Sequence, residues 1–347
     1  MEHFLRSLEN SWQPFVLVIG LLLVGHSAAS EGLFDWLGRL IARTPGGALR
    51  VFVVTMLAVA VVTATLNLDT AIVFMTPVAL QAARSSKADQ DAFLYGTILM
   101  TNSASLLLYG SNLTNLLVFS SRSVAGTTFA SHMLLPWVGA VVITIAVVGL
   151  WRWRSFRGGV VVRSSSGLSF RFGIGALAVL LSVAAMLALR DPALPVLVIG
   201  VMAAGNEVLV KRKMRVREVL AVASPYLLGP LFALAVLVGW LGRSWHRVGH
   251  LVAHTSSLTT SLIGAGTSLV INNLPAASLF SGQSIAHPYA LLLGLNLGPN
   301  IFVTGSLSSM LWFRLARSEG ARPSLRTFVT IGPPVALLTI FVGSLFV

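Results

Sequence analysis

The sequence predicts an all-α polytopic membrane protein built from inverted-topology repeats, each with a re-entrant helical hairpin and a broken transmembrane helix. Three observations predict it: composition, the one-sidedness of the basic residues, and an internal repeat. Of 347 residues, 55% are hydrophobic and only 10% charged, whereas soluble globular chains carry about 25% charged residues. A net charge of +13 would suggest nucleic acid if it formed a patch on a soluble domain. Here the basic residues sit in short loops between apolar runs, where they set membrane topology, so the expected partner is the lipid bilayer and not nucleic acid. The chain has no cysteine, which excludes disulfides, thiolate metal sites and thiol redox chemistry. The first apolar stretch follows a mixed Glu/Arg segment without a convincing cleavage site, unlike a removable signal peptide. A multi-pass protein of a bacterial-type inner (plasma) membrane is expected.

Apolar runs that approach the roughly 17–25 residues of a span occur at 12–29, 91–119, 132–151, 172–189, 193–210, 219–241, 288–313 and 327–347. Two further stretches, 49–83 and 257–281, are interrupted halfway by polar residues. The half 70–83 is short for a span, so both stretches read as re-entrant hairpins. That reading puts 31–50, 84–90, 152–171, 211–218 and 314–326 on one side, with 19 of the chain's 24 Lys and Arg. The other side keeps Arg6, Arg122, Arg190, Arg243 and Arg247. Such asymmetry assigns the first side to the cytoplasm, although two full spans would give a hairpin's parity.

The repeat supports hairpins. Residues 37–43, "LGRLIAR", resemble 248–254, "VGHLVAH", and each precedes a polar-tipped hairpin, "LNLDTA" (66–71) or "INNLPA" (271–276). Each hairpin is followed by an apolar helix broken by small and polar residues, with Gly110-Ser111 answering Gly305-Ser306. The expected first repeat is 1–151, comprising a helix, an interfacial helix, hairpin 49–83, broken helix 91–119 and helix 132–151. Residues 152–218 supply a cytoplasmic loop and two linking helices. The second repeat, 219–347, has the same order, with hairpin 257–281, broken helix 288–313 and helix 327–347. The hairpins then open from opposite sides, an arrangement typical of secondary transporters.

Nine of the eleven acids lie in loops or at segment ends. Glu207 stands four residues before Lys211, and an i, i+4 pair at a helix end accounts for it. Asp69 alone falls at a hairpin tip, where a charged Asp costs at least about 2.5–3.5 kcal/mol. It could cap the half-helix that begins at Thr70, and capping is compatible with function. Desolvation favours the protonated form, so a carboxylate here suits proton uptake and release. A helix broken inside the membrane frees backbone groups that neighbours, ions or substrate must satisfy. The candidates are Asn67, Thr70, Asn102, Ser103, Ser105, Ser111, Asn112 and Asn115, then Asn272, Asn273, Asn296, Asn300, Thr304 and Ser306. For any one alone, close helix packing is the simpler reading; four clusters in inverted correspondence argue for a shared site. His246, His250 and His254 have metal-stripe spacing, but His250 and His254 align with Arg39 and Arg43, so they read as the polar edge of an interfacial helix. No metal and no cofactor are expected. Residues 63–77, 98–118, 268–281 and 293–312 contain no Lys, Arg or His, which suits a neutral polyhydroxy solute or a cation better than an anion.

At these clusters the chain resembles the arsenical pump membrane protein (arsenite permease) family, within the ion transporter superfamily that includes citrate transporter-like proteins and divalent anion–sodium symporters. The residues that carry the resemblance are "LDTAIVFMTPV" (68–78), "SASLLLYGSNLTNLLV" (103–118), "INNLPA" (271–276) and "LGPNIFVTGSLSSMLW" (297–312). The family implies export of arsenite and antimonite, as neutral hydroxides, in exchange for protons, in some members with a partner ATPase. The superfamily implies inverted repeats, paired hairpins, elevator-like movement and often a homodimer. By motif, Asp69 matches the family's first-hairpin acid, and Asn272, Asn273 and Pro275 its second tip. The chain departs from the pattern at Asn296, where many members carry Asp, and at Asn67-Leu68-Asp69, where relatives often have Asn directly before Asp. Family members usually have further spans ahead of the helix that matches 12–29.

Three alternatives stand beside this reading. A second superfamily activity, a sodium- or proton-coupled carboxylate carrier or a sodium/proton antiporter, is the nearest alternative. An intramembrane aspartyl enzyme needs a second buried acid, and a serine enzyme a motif such as G-x-S-x-G; neither pattern occurs, so no enzyme is expected. A passive channel would need neither hairpins nor a titratable Asp.

Overall fold

The structure, a computed structural model, describes residues 2–122, 124–157, 172–210 and 216–347. Among them the secondary structure is helical throughout, without a strand, as a bilayer requires of a chain that is not a barrel. Helix α1 (Glu2–Ser30) leads through a tight turn at Gly32, φ +83°, into the short α2 (Leu33–Ala42). Helix α2 buries Phe34, Gly38 and Ile41, spaced along one face, as an amphipathic interfacial helix does. Helices α3 (Ala48–Thr65) and α4 (Leu68–Ser85) follow, then α5 (Gln90–Ala104), α6 (Leu113–Phe119) and α7 (Gly126–Trp151). Two linking helices, α8 (Ile174–Ala188) and α9 (Ala193–Leu209), and the short α10 (Val216–Val222) come next. The chain closes with α11 (Pro225–Ser244), α12 (His246–Ala253), α13 (Ser257–Ile271), α14 (Asn273–Phe280), α15 (Pro288–Leu297), α16 (Leu307–Ser318) and α17 (Leu325–Ser344). The series α11–α17 thus repeats the element order of α1–α7.

Among the described residues, five segments are long and apolar enough to cross a membrane: Glu2–Ser30, Ala48–Thr65, Gly126–Trp151, Arg217–Ser244 and Leu325–Ser344. The apolar runs 91–119 and 288–313 are both divided, into α5 and α6 and into α15 and α16, each with a 3-10 turn at the break. Both polar-tipped stretches are helix–break–helix units whose arms pack together. Helix α14 has eight residues, about 12 Å at 1.5 Å per residue, far short of the roughly 30 Å hydrocarbon core. Helix α4 differs from expectation. It runs for 18 residues, because Asn67 starts it two positions earlier than Thr70 and the apolar contacts continue past Pro77.

Packing follows the same order in both halves. Helix α3 lies against α4 and α5, and α13 against α14 and α15. The last helices, α7 and α17, pack on each other, while α1 contacts α8, α9 and α11. Each hairpin's second arm also crosses to the other half: α4 packs on α16, and α14 on α6. Where α5 and α7 meet, Arg152 bonds Asp89 at 3.2 Å and Asp91 at 2.6 Å and lies 4.2 Å from the centre of the Trp151 ring.

Glu207 is also placed differently from expectation. It is buried on α9 at 1% exposure, in the face that packs on α1, and Lys211 lies outside the described residues. The side chain of His246 is likewise outside them. Among the described residues no three His, Asp or Glu side chains converge.

Candidate functional site

The site begins with two helices that stop early. Helix α5 ends at Ala104, and the chain passes through an extended residue, a 3-10 turn at Tyr109–Ser111 and the extended Asn112 (φ −152°, ψ 141°) before α6 starts. The second half reproduces this at the 3-10 turn Val303–Gly305 and the extended Ser306 (φ −143°, ψ 148°). Asn112 and Ser306 are therefore the equivalent caps, one residue out of register with the pairing of Gly110-Ser111 with Gly305-Ser306. Each cap satisfies a free backbone donor of its short helix: Thr114 N–H donates to Asn112 Oδ1 at 3.2 Å, and Ser309 N–H to Ser306 Oγ at 3.0 Å. In this register Asn102 answers Asn296.

These two asparagines join the breaks. Asn102 Nδ2 donates to Asn300 Oδ1 at 2.8 Å. Asn296 Nδ2 donates to Asn115 Oδ1 at 2.7 Å, while Asn296 Oδ1 accepts from Asn112 Nδ2 at 2.8 Å and from the Thr114 hydroxyl. Asn102, Asn115, Asn296 and Asn300 are fully buried. An amide supplies two donors and an acceptor, so asparagines satisfy one another where a lone polar group would cost several kcal/mol in hydrocarbon. Ser103 Oγ accepts from Thr144 Oγ1 at 2.9 Å, tying α5 to α7. Ser105 and Ser111 close the first break from within: Ser111 Oγ donates to Ser105 O at 2.7 Å, and Asn115 Nδ2 to the same carbonyl at 2.8 Å.

The hairpin tips approach the breaks from two sides. Asn67 Oδ1 accepts from Thr70 N–H at 2.7 Å and caps α4. Asp69, on the first turn of α4, accepts from Ser308 Oγ of α16 at 2.5 Å. At the other tip, Asn272 Nδ2 donates to Thr304 O at 3.0 Å, from a backbone at φ +73°, ψ 151°. Against α4, Gly25 of α1 is so close that a Cβ on it would lie 2.6 Å from Thr70 Cγ2.

The structure thus brings most of the expected residues together and separates a few. Asn102, Ser103, Ser105, Ser111, Asn112, Asn115, Asn296 and Asn300 form one connected network. Asn67, Asp69 and Thr70 form the first tip, linked to α16 through Ser308. Thr304 takes part only through its carbonyl, since its side chain is exposed. Asn273 is buried, but no hydrogen bond joins it to the network. Sequence reasoning missed Ser308, Thr114 and Thr144. The first two stand in equivalent positions on α16 and α6, two residues after a cap, which the residue patterns alone showed one position out of step. Asn67 Nδ2, Thr70 Oγ1 and Asn102 Oδ1 are buried without a partner among the described residues. Such groups are rare in native structures.

Two broken helices joined by buried amides, each beside a hairpin tip, are features of a membrane transporter. The citrate transporter family pattern matches residues 7–303, and the chain belongs to that family. It is 23% identical to the arsenical pump membrane protein of Escherichia coli, over 95% of this chain and 85% of that one. It is 25% identical to inner membrane protein YbiR of Escherichia coli K12, over 40% of this chain and 37% of the other. Its fold is similar to that in the crystal structure of the Alcanivorax borkumensis YdaH transporter, with TM-score 0.61 at 13% identity, over 99% of this chain and 86% of that one. The protein is a multi-pass transporter of the bacterial inner membrane.

Proposed function

We propose that this protein exports arsenite or antimonite, as neutral hydroxides, in exchange for protons by alternating access. The observation that carries this reading is the pairing of an uncharged amide and hydroxyl network with one carboxylate, Asp69, held by Ser308 at its edge. A trihydroxy solute is both donor and acceptor, as are the Asn, Ser and Thr side chains that would bind it. Soft thiolates would hold trivalent arsenic too firmly for release; amides and hydroxyls bind weakly enough to let go. Asp69 takes the proton when its side of the site is open and gives it up on the other. In this reading 1–151 and 219–347 are inverted repeats, 49–83 and 257–281 are re-entrant hairpins opening on opposite sides, and their relative movement exposes the site alternately. The arsenical pump relatives support the substrate class; a homodimer and a partner ATPase remain proposals on the same footing.

A second reading is a sodium- or proton-coupled carboxylate carrier or a sodium/proton antiporter, favoured by the citrate transporter family match. An anion would have to be held by the N-termini of α4, α6, α14 and α16, since the segments around the breaks hold no basic side chain. Flux into everted vesicles decides. Proton-driven arsenite accumulation that Asp69→Asn abolishes supports export; sodium-dependent citrate or succinate flux with no response to arsenite removes it.

A further inference from the structure

Away from the asparagine network, on the side opposite the basic loops, a cavity of about 210 Å³ opens between α1, the end of α6 and the start of α9. Its polar lining is Gln13, Ser120, Ser121, Arg122, Arg190 and Asp191. Its floor includes Tyr109, the first residue of the 3-10 turn at the first helix break. Drug-sized ligand pockets hold about 300–1,000 Å³, so this one suits a smaller, polyatomic solute.

The charges are arranged for an anion. Arg122 is clamped by two carbonyls, donating to Val118 O at 2.7 Å and to Gln283 O at 3.2 Å. Its guanidinium has five N–H donors in a rigid fork, so the clamp leaves donors over and fixes their direction. Among the described residues neither Arg122 nor Arg190 is in a salt bridge, so Asp191, although adjacent in sequence to Arg190, pairs directly with neither. Burial disfavours the charge on Arg122, a penalty an anion would offset. Two arginines, two hydroxyls and an amide against one carboxylate leave the pocket rich in donors and positive.

We propose that this pocket binds a small anionic oxygen group, a carboxylate or phosphoryl, at the outer face. Such a ligand would bridge α1 and α9 to the segment that carries the first helix break, and so bias the transporter towards one conformation. The site is separate from the transport network and does not depend on what that network carries. The group could belong to a free solute or to an anionic lipid headgroup, and the test separates these sources.

Purified protein in phosphatidylcholine nanodiscs is titrated calorimetrically with inorganic phosphate and with citrate. A parallel melting series replaces part of the lipid with phosphatidylglycerol. Arg122 is left intact because it ties two loops together; the variants are at exposed positions. Arg190→Gln should weaken binding about tenfold, the value of one charge-assisted hydrogen bond. Asp191→Asn should tighten it about threefold by removing the opposing charge, and a merely structural role predicts no such opposite signs. Saturable binding of phosphate or citrate with this pattern assigns a free anion. Stabilisation by phosphatidylglycerol alone, lost in Arg190→Gln, assigns a headgroup. Absence of both, or equal response of the two variants, overturns the proposal.

Discussion

Ser308 Oγ donates to Asp69 Oδ1 at 2.5 Å, and through this bond the first turns of α4 and α16 meet although 239 residues separate them in sequence. The two residues stand at the N-terminal ends of their helices, where unsatisfied N–H groups favour negative charge. The carboxylate is thus stabilised by two helix ends and one hydroxyl, with no basic residue nearby in sequence on either segment.

Removing that hydroxyl should affect coupling first. A hydrogen bond to a charged group is worth about 1.5–3 kcal/mol, and 1.36 kcal/mol corresponds to one pH unit. Ser308→Ala removes stabilisation from the ionised form, so the pH profile of proton-coupled flux should move towards alkaline by about one to two units. Ser308→Thr should restore it. A profile that Ser308→Ala leaves in place would separate this bond from coupling.

Asn296 offers a contrast between stability and titration. Asn296→Leu takes one hydrogen bond each from Asn112 Nδ2, the Thr114 hydroxyl and Asn115 Oδ1, at about 1–3 kcal/mol for each buried group left unsatisfied, and should lower the melting temperature markedly in detergent. Asn296→Asp keeps the acceptor used by Asn112 and Thr114 and loses only the bond donated to Asn115. It should melt between wild type and Asn296→Leu and make transport more steeply dependent on pH.

Gly332 permits α17 to reach the second break. A Cβ there would lie 1.9 Å from Asn300 O, a contact between backbones that no rotamer change relieves. Gly332→Ala should destabilise the protein and impair transport together, because Asn300 holds Asn102. Gly266→Ala, where a Cβ would meet nothing within 4 Å, should melt as wild type does.

At the second hairpin tip, Asn272 holds a backbone at φ +73°, ψ 151°, a region that costs a side-chain-bearing residue about 1–3 kcal/mol. Asn272→Ala loses the bond to Thr304 O and keeps the strain. Asn272→Gly loses the bond and relieves the strain. The glycine variant should therefore be the more stable of the two by melting; the reverse order would place the stabilisation elsewhere.

Much of the architecture was legible because a bilayer limits the options. Long apolar runs with interrupted middles, together with basic loops on one side, point to helices, two polar-tipped helix–break–helix stretches and two broken helices. Local polar signals also located the breaks, because Asn, Ser and Thr stand there to satisfy backbone groups that a continuous helix would have paired. Equivalence between the halves was harder. Gly110-Ser111 and Gly305-Ser306 look alike as letters, but the extended backbone at Asn112 and Ser306 sets the true register. Glu207 looked like an end-of-helix residue because its i+4 neighbour is a lysine; its burial follows from the packing of α9 on α1, which no local pattern encodes.

The sequence by itself determined that this is a helical membrane protein, where its helices break, and which carboxylate stands at a tip, since all three follow from hydropathy and from the cost of unpaired polar groups in lipid. Only the tertiary structure decided that Asn102 meets Asn300, that Asn296 meets Asn112 and Asn115, and that Ser308 holds Asp69. Those contacts join residues about two hundred positions apart, and the relative placement of two packed halves, which spacing along a chain does not specify, is what brings them within hydrogen-bonding reach.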